Sequence, residues 1–411
     1  MNKKNFSSLL IALLVIYCII SLVPIWNSPY ARQSDFRIYY YSAKLFFDGQ
    51  NPYDMWLLCP IIKIAHWCAY APAALSFYKP FLYFDFETAT KVFLILKIIL
   101  LVVLLTLWKK YFLKEDADLF FYFFCVFAFH STFYIDLISG NINLLEQCLL
   151  WIGFYYFLIH RYVLFGAFVV AASSFKLAPV VFLWLYFLSD DPQKWKHFII
   201  FNLLFVLYFL IQYAVNPYLF SQYVSRVIQT LPDSGRVCPA TLPFLKDLFW
   251  LITKNFRTDL PAERMKELAH LVATGVTAII SITVILTTRK ALNLLRSLSA
   301  RDKDKIVLFL FCLLYALIHP RFKDYAYILL IVPSYYILKR SISFNFYPVI
   351  LILPLLAFHS TLPGFRKLFP LLWEYYPLVI VYGIWSLYLV HIFRFKATYL
   401  TGEPKKEDHQ T

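Results

Sequence analysis

What this chain can fold into is set first by its long apolar runs. They lie near residues 8–26, 88–107, 119–135, 143–159, 197–215, 268–288, 304–318, 325–338, 344–358 and 372–393. The hydrocarbon core of a bilayer is about 30 Å thick, roughly 20 residues of helix, and backbone polar groups inside it must bond within the crossing segment. One more apolar region, 162–188, is interrupted by Ser173, Ser174, Lys176 and Pro179. A lysine beside a proline is a poor centre for a continuous span, so this region reads as two short helices meeting at a polar tip. The sum is an all-α polytopic membrane protein of about 12 helical segments.

Composition agrees with lipid as the solvent. Of the residues, 61% are hydrophobic and only 15% charged, where a soluble domain is nearer a quarter charged. Many of the 42 Phe and 31 Tyr lie beside the ends of the runs, as rings at headgroup depth do. A net charge of +15 could suit nucleic acid. The basic residues, however, sit in short segments between runs, where they act as topology signals and contacts to anionic lipid. Membrane, and no nucleic acid, is the expected partner.

Lys3 and Lys4 precede the first run, and no small-residue cleavage site follows it, so it reads as an uncleaved helix with its amino terminus in the cytoplasm. The positive-inside rule then places Lys109, Lys110, Lys114, Arg161, Lys194, Lys196, Arg289, Lys290, Arg296, Arg301, Lys339, Arg340, Arg394 and Lys396 on one side. That requires residues 69–86, with Pro72, Lys79 and Pro80, to remain a re-entrant or interfacial element. Residues 27–87 and 216–267 become outer loops of a single membrane domain, 1–400, followed by a short cytoplasmic tail, 401–411.

The first outer loop carries the richest stretch, from Ser34-Asp35-Phe36 to Asn51-Pro52-Tyr53-Asp54. Apolar residues at 36, 39, 40, 43, 46 and 47 have helical spacing, and Gly49 with Asn51-Pro52 stops the helix. The spacing predicts an amphipathic helix on the outer membrane surface, opened by Asp35. Asp35 there could be a helix cap or dipole partner as well as a reactive group.

This stretch resembles glycosyltransferase family 87, whose members have the GT-C fold and transfer mannose or related sugars from polyprenyl phosphates. The family pattern fits Asp35, Phe36, Tyr39, Tyr40, Ala43, Gly49, Asn51, Pro52, Tyr53 and Asp54. Tyr70-Ala71-Pro72 is similar to its Tyr-Pro-Pro segment, and Gly140-Asn141-Ile142-Asn143 to its Gly-Gln-x-Asn motif, with Asn141 in place of Gln. Lys176-Leu177-Ala178-Pro179 looks like its Lys-x-x-Pro. His319-Pro320-Arg321-Phe322-Lys323-Asp324-Tyr325 occupies the place of a segment in which many members carry His where Tyr325 stands.

The resemblance implies an inverting transfer from a polyprenyl-phosphate sugar donor to a lipid or glycan acceptor at the outer face of the plasma or inner membrane. Asp35 would be the base. Lys176, Arg321 and Lys323 would hold the donor phosphate, with Asn141, Asn143, Tyr39 and Tyr325 also binding substrate. The aromatic segment 69–86 would flank the lipid. The charge-based topology independently puts Asp35, Asn141, Asn143, Lys176, Arg321, Lys323 and Asp324 toward the outer face. Each also has a plainer explanation: snorkelling suits Lys176, headgroup contacts suit Arg321 and Lys323, and helix capping or bridging suits Asn143.

No cofactor or metal is expected. Asp116-Ala117-Asp118 and Asp302-Lys303-Asp304 match a metal-nucleotide DxD string but fall on the cytoplasmic side among basic residues. The nine histidines, including His130 near the outer end of a run, show no ligand spacing, and no phosphate or dinucleotide loop occurs. Of seven scattered cysteines only Cys59 and Cys68 are close enough to suggest a disulfide, and free thiols are the expectation. The rival reading is a carrier or flippase for lipid-linked or anionic solutes, although such proteins tend to show the inverted repeats absent here. An inactive scaffold of the same fold is a third.

Overall fold

The computed structural model describes residues 3–28, 32–63, 66–229, 235–255, 261–296, 302–341, 356–357 and 369–401, and among them there is no strand. Among the described residues six helices are long and apolar enough to cross a membrane: Ser8–Asn27, Phe86–Asp116, Leu119–Ser139, Lys194–Val215, Glu263–Leu295 and Pro370–Arg394. The expected run 143–159 is a helix of only 16 residues, roughly 24 Å at 1.5 Å per residue. The run 304–318 is equally short. The expected run 344–358 lies almost wholly outside the described residues, as does the tail beyond Thr401.

The chain divides into two compact units. The first comprises Met1–Pro232, Asp324–Leu329 and Phe346–Thr361. It begins with α1 (Lys3–Asn27), α2 (Ser34–Phe47) and α3 (Met55–Ile62), then a helical turn at Pro72–Leu75 that runs into a 3-10 helix, Ser76–Tyr83. There follow α4 (Phe86–Leu107), α5 (Leu119–Ser139), α6 (Asn143–Leu158) and α7 (Tyr162–Ser173). A 3-10 helix, Ala178–Leu188, comes before α8 (Lys194–Val215) and α9 (Pro217–Ile228). The segment 162–188 thus forms two short elements with a break at the polar residues, as its composition predicts, and 69–86 contains only short helical elements.

α2 departs from expectation in one respect. It forms where its spacing predicts, but it is enclosed in the unit and not laid on a surface: Phe36, Arg37, Ile38, Tyr39, Tyr40, Ser42, Ala43 and Leu45 are all buried. Burial is possible because its polar groups find carbonyls inside. Arg37 donates to the Ile62 carbonyl (3.0 Å) and the Tyr40 hydroxyl to that of Phe84 (2.8 Å). Phe36 stacks on Phe93 of α4 with ring centroids 4.4 Å apart and meets Phe81 edge-on at 5.6 Å, contacts each worth about 0.5–1.5 kcal/mol beyond area burial. Gly49 (φ +74°) ends the helix, and Asp54 caps α3 by accepting from the Trp56 N–H.

α5 is broken at its middle. Phe129, His130 and Ser131 take left-handed φ values of 51°, 61° and 59°, a conformation that costs roughly 1–2 kcal/mol per non-glycine residue. The flanks are held by the Thr132 hydroxyl, which donates to the Asp324 carbonyl (2.7 Å), and by Phe129, whose ring lies 5.3 Å from that of Tyr327. At the start of α5 Asp118 accepts from the N–H groups of Phe120 and Phe121. One DxD string is therefore a helix cap.

The second unit comprises Asp233–Lys323, Leu330–Asn345 and Leu362–Thr411. It holds α10 (Thr241–Asn255), α11 (Ala262–Arg296), α12 (Lys303–Ile318), α13 (Ile331–Ser341) and α14 (Pro370–Thr401). Side chains on α14 bind its neighbours: Tyr388 donates to the Pro333 carbonyl (2.8 Å), Trp385 to Thr288 (2.9 Å) and Tyr375 to Asp247 (2.5 Å). The second DxD string also has a structural use, since Asp302 pairs with Arg340 at 2.6 Å and accepts from Tyr336. Partial burial raises the Asp302 carboxyl, but the Arg340 bond and the charges of Lys305 and Arg340 outweigh it and hold it below its ordinary value.

A carboxylate lowered on folding stabilises above its unfolded value and stops doing so as pH falls through the folded one. At neutral pH, Asp302→Asn should therefore lower the thermal midpoint of the detergent-solubilised protein. The difference from the parent should close as pH drops below the ordinary carboxylate range, near ~4. A pH-independent difference would show that packing and not charge holds the contact.

Candidate active site

The site is built where α5 turns into α6. Gly140 ends α5 at φ +70°, and the chain must pass α2 there so closely that a Cβ would lie 2.3 Å from Gln33 Oε1 and 2.8 Å from Phe36 Cβ. Only glycine meets both demands. The turn brings Asn141 against α2, where its Nδ2 donates to Asp35 Oδ2 at 2.7 Å and to the Tyr39 hydroxyl at 3.0 Å. Asn141 Oδ1 accepts the N–H of Asn143 (3.1 Å), which opens α6.

From Asn143 the network continues across the unit. Its Nδ2 donates to the Tyr325 carbonyl (2.9 Å), and its Oδ1 accepts from Lys176 Nζ (3.2 Å). Lys176 also lies 2.9 Å from Glu146 Oε2 and 4.8 Å from the centre of the Tyr325 ring. The polar tip between α7 and the following 3-10 helix thus delivers its lysine to the first turn of α6.

Tyr39 and Tyr70 share a hydrogen bond at 3.0 Å. Burial, and then for Tyr39 the neighbouring Tyr70 and Asp35, push its phenol well above the ordinary value. Tyr70 is raised by burial, Tyr325, Asp35 and Glu146. Both phenols therefore stay protonated and serve as hydrogen-bonding groups, with no role as bases.

The floor of the cluster is buried, with Asn141, Asn143, Tyr39 and Glu146 at 6% exposure or less. Asp35, Lys176 and Tyr325 are only partly buried. The groups suited to proton and phosphate chemistry are thus the accessible ones.

The fold of the first unit brings together six of the eight residues picked from sequence: Asp35, Tyr39, Asn141, Asn143, Lys176 and Tyr325. Arg321 and Lys323 belong to the second unit, where the Arg321 N–H donates to His319 Nδ1 (3.1 Å). The segment 69–86 turns Tyr78 and Phe81 inward beneath α2 and leaves Tyr83 and Phe84 exposed. Cys59 and Cys68 are free thiols. No group of three or more His, Cys, Asp or Glu side chains that could hold a metal occurs among the described residues.

Sequence reasoning missed Glu146. It also missed an ion pair close by, Lys97 of α4 with Asp136 of α5, 2.7 Å apart and essentially inaccessible. Charged residues inside apolar runs were the available signal. Each looked like a single interruption until the helices were placed side by side.

A chain whose described residues form helices and no strand, several of the helices apolar and of spanning length, is an integral membrane protein. A model of glycosyltransferase family 87 matches residues 67–317, more than half of the 411 residues, and the chain belongs to that family. No curated protein and no solved structure matches it. The matched range contains Asn141, Asn143, Glu146 and Lys176, whereas Asp35, Tyr39 and residues 321–325 lie outside it.

Gly140→Ala should test the corner directly. A methyl group there must push α2 away or unwind the left-handed turn, so transferase activity should fall at least tenfold. The thermal midpoint should also drop, since an L residue in this conformation costs on the order of 1–2 kcal/mol. Parent-level activity would show that α2 docks without the close approach.

Proposed function

We propose that this protein is an inverting glycosyltransferase moving a sugar, mannose or a related hexose or pentose, from a polyprenyl phosphate to a lipid or glycan acceptor. The site would face the outside of the plasma or inner membrane, within a scaffold of about 12 helical segments. One observation carries the assignment of the base. Of the carboxylates described in this region, Asp136 faces Lys97, Glu146 faces Lys176 and Asp324 accepts the Tyr325 N–H (2.8 Å), whereas Asp35 faces the neutral amide of Asn141. Its hydrogen bond leaves Oδ1 for an incoming hydroxyl.

In the transfer, Asp35 takes the proton of the acceptor hydroxyl as that oxygen bonds to the anomeric carbon. The bond from this carbon to the phosphate oxygen breaks, and the phosphate leaves with the electron pair. A positioned base contributes about two to four decades of rate, and cations stabilise the charge growing on the leaving group. Lys176 suits that task, oriented by Asn143 and Tyr325, with Glu146 as its counter-ion. The assignment of Arg321 and Lys323 to the same phosphate belongs to this reading and rests on the sequence alone. So does the use of basic side chains in place of a divalent ion.

Asp35→Asn keeps size and an acceptor but cannot take a proton, so transfer should fall by about two to four decades while donor binding persists. Lys176→Met should instead weaken donor use by about one to two decades, as expected for a lost charge-assisted bond of roughly 1.5–3 kcal/mol. Kinetics of both purified variants decide the matter: an Asp35→Asn protein at near the parent rate removes the base, and a chelator-sensitive activity restored by divalent metal removes the lysine scheme.

The orientation has its own test. A cysteine at Gln50 should react with a membrane-impermeant maleimide in intact cells above the background of native thiols, and one at Lys196 only after lysis. The reverse pattern would put the site on the cytoplasmic face.

A further inference from the structure

Neither the base nor the phosphate scheme uses the buried pair Lys97–Asp136, yet two ions withdrawn from water are costly. Replacing such a pair with apolar residues is often neutral or stabilising, so stability alone does not account for it. Its contacts suggest another use. Lys97 Nζ binds the Asp136 carboxylate at 2.7 Å and also donates to the Asp136 backbone carbonyl. That carbonyl lies in the last turn of α5, where carbonyls lack helical partners and a cation is favoured by the helix dipole.

The Asp136 carbonyl also accepts from the Ser139 hydroxyl (3.1 Å). Ser139 Oγ in turn accepts the N–H of Asn141 (3.2 Å), and Asn141 donates to Asp35 (2.7 Å). The next carbonyl, that of Leu137, accepts from Gln33 Nε2 (3.0 Å) just before α2. An unbroken chain of bonds therefore runs from Lys97 through Asp136, Ser139 and Asn141 to Asp35. A second bond ties the start of α2 to the same turn.

We propose that Lys97 and Asp136 are positioning residues for the transferase reaction, fixing the last turn of α5 so that Asn141 holds the Asp35 carboxylate toward the acceptor hydroxyl. The inference rests on the reading of Asp35 as the base. Loss of the pair lets the α5–α6 corner and the carboxylate move together. Because Lys176 is held one step further from the corner, by Asn143 and by its own ion pair with Glu146 in the first turn of α6, turnover suffers more than the grip on the donor phosphate.

The experiment uses the full-length protein in detergent with a polyprenyl-phosphate sugar donor, comparing parent, Asp35→Asn, Ser139→Ala, and the double variant Lys97→Met with Asp136→Leu. Removing both charges together leaves no unpaired buried ion, so the double variant should melt near the parent while kcat falls at least tenfold and the donor KM changes less than twofold. Ser139→Ala, which alters one partly exposed hydroxyl, should lower kcat severalfold with the same unchanged KM, and it carries the test if the double variant does not fold. Parent-level kcat in Ser139→Ala and in a folded double variant, with Asp35→Asn inactive, would overturn the positioning role and leave the base in place. A loss expressed mainly in donor KM would overturn it as well. An active Asp35→Asn protein would remove the base and the positioning role together.

Discussion

The arrangement of the first unit depends on one hydrogen bond, from the Asn141 amide to the Asp35 carboxylate across 106 positions of sequence. It is short because α2 lies directly against the turn that ends α5. That approach in turn requires Gly140, whose missing Cβ leaves room for Gln33 and Phe36. Everything accessible in the cluster is referred to this corner: Asp35 on one side of it, and on the other α6, which supplies Asn143 and Glu146 to hold Lys176.

A polar cluster inside a largely apolar protein needs its charges balanced locally, because few waters are at hand and an unpaired buried ion costs several kcal/mol. Two ion pairs meet this need, Lys97 with Asp136 between two helices and Lys176 with Glu146 between a polar loop and a helix. The aromatic residues fill the space between. Phe36, Phe81, Phe86 and Phe93 pack around the inward face of α2, while the hydroxyls of Tyr39, Tyr53 and Tyr70 satisfy one another or nearby carbonyls. The high Phe and Tyr content therefore does more than meet lipid headgroups, since part of it encloses α2.

Much of the candidate site was legible in the sequence. Asp35 could be picked because it opens a helix of clear spacing within a stretch resembling a known family, and Lys176 because it stands beside a proline in an apolar region. The turn residues were legible too: Asn51 and Asp54 bond the local backbone, as short polar side chains next to Gly and Pro tend to. The burial of α2 was not, since an amphipathic pattern gives a helix one apolar face without saying how much of the rest will be covered. Glu146 and Asp136 were not legible because a single acid in an apolar run looks the same whether it faces lipid, a cavity or a lysine.

The sequence by itself determined that the chain is helical, that it belongs in a membrane, and where its apolar region 162–188 breaks. These follow from hydropathy, backbone stereochemistry and local spacing, none of which needs a neighbour. Only the tertiary structure decided that Lys97 meets Asp136, that Lys176 meets Glu146, and that Asp35 is left with a neutral partner. Such pairings depend on the rotation and depth of each helix relative to the next, and those are set by the packing of all the helices at once, since the desolvation of a charge is offset only by the particular groups that packing brings within reach.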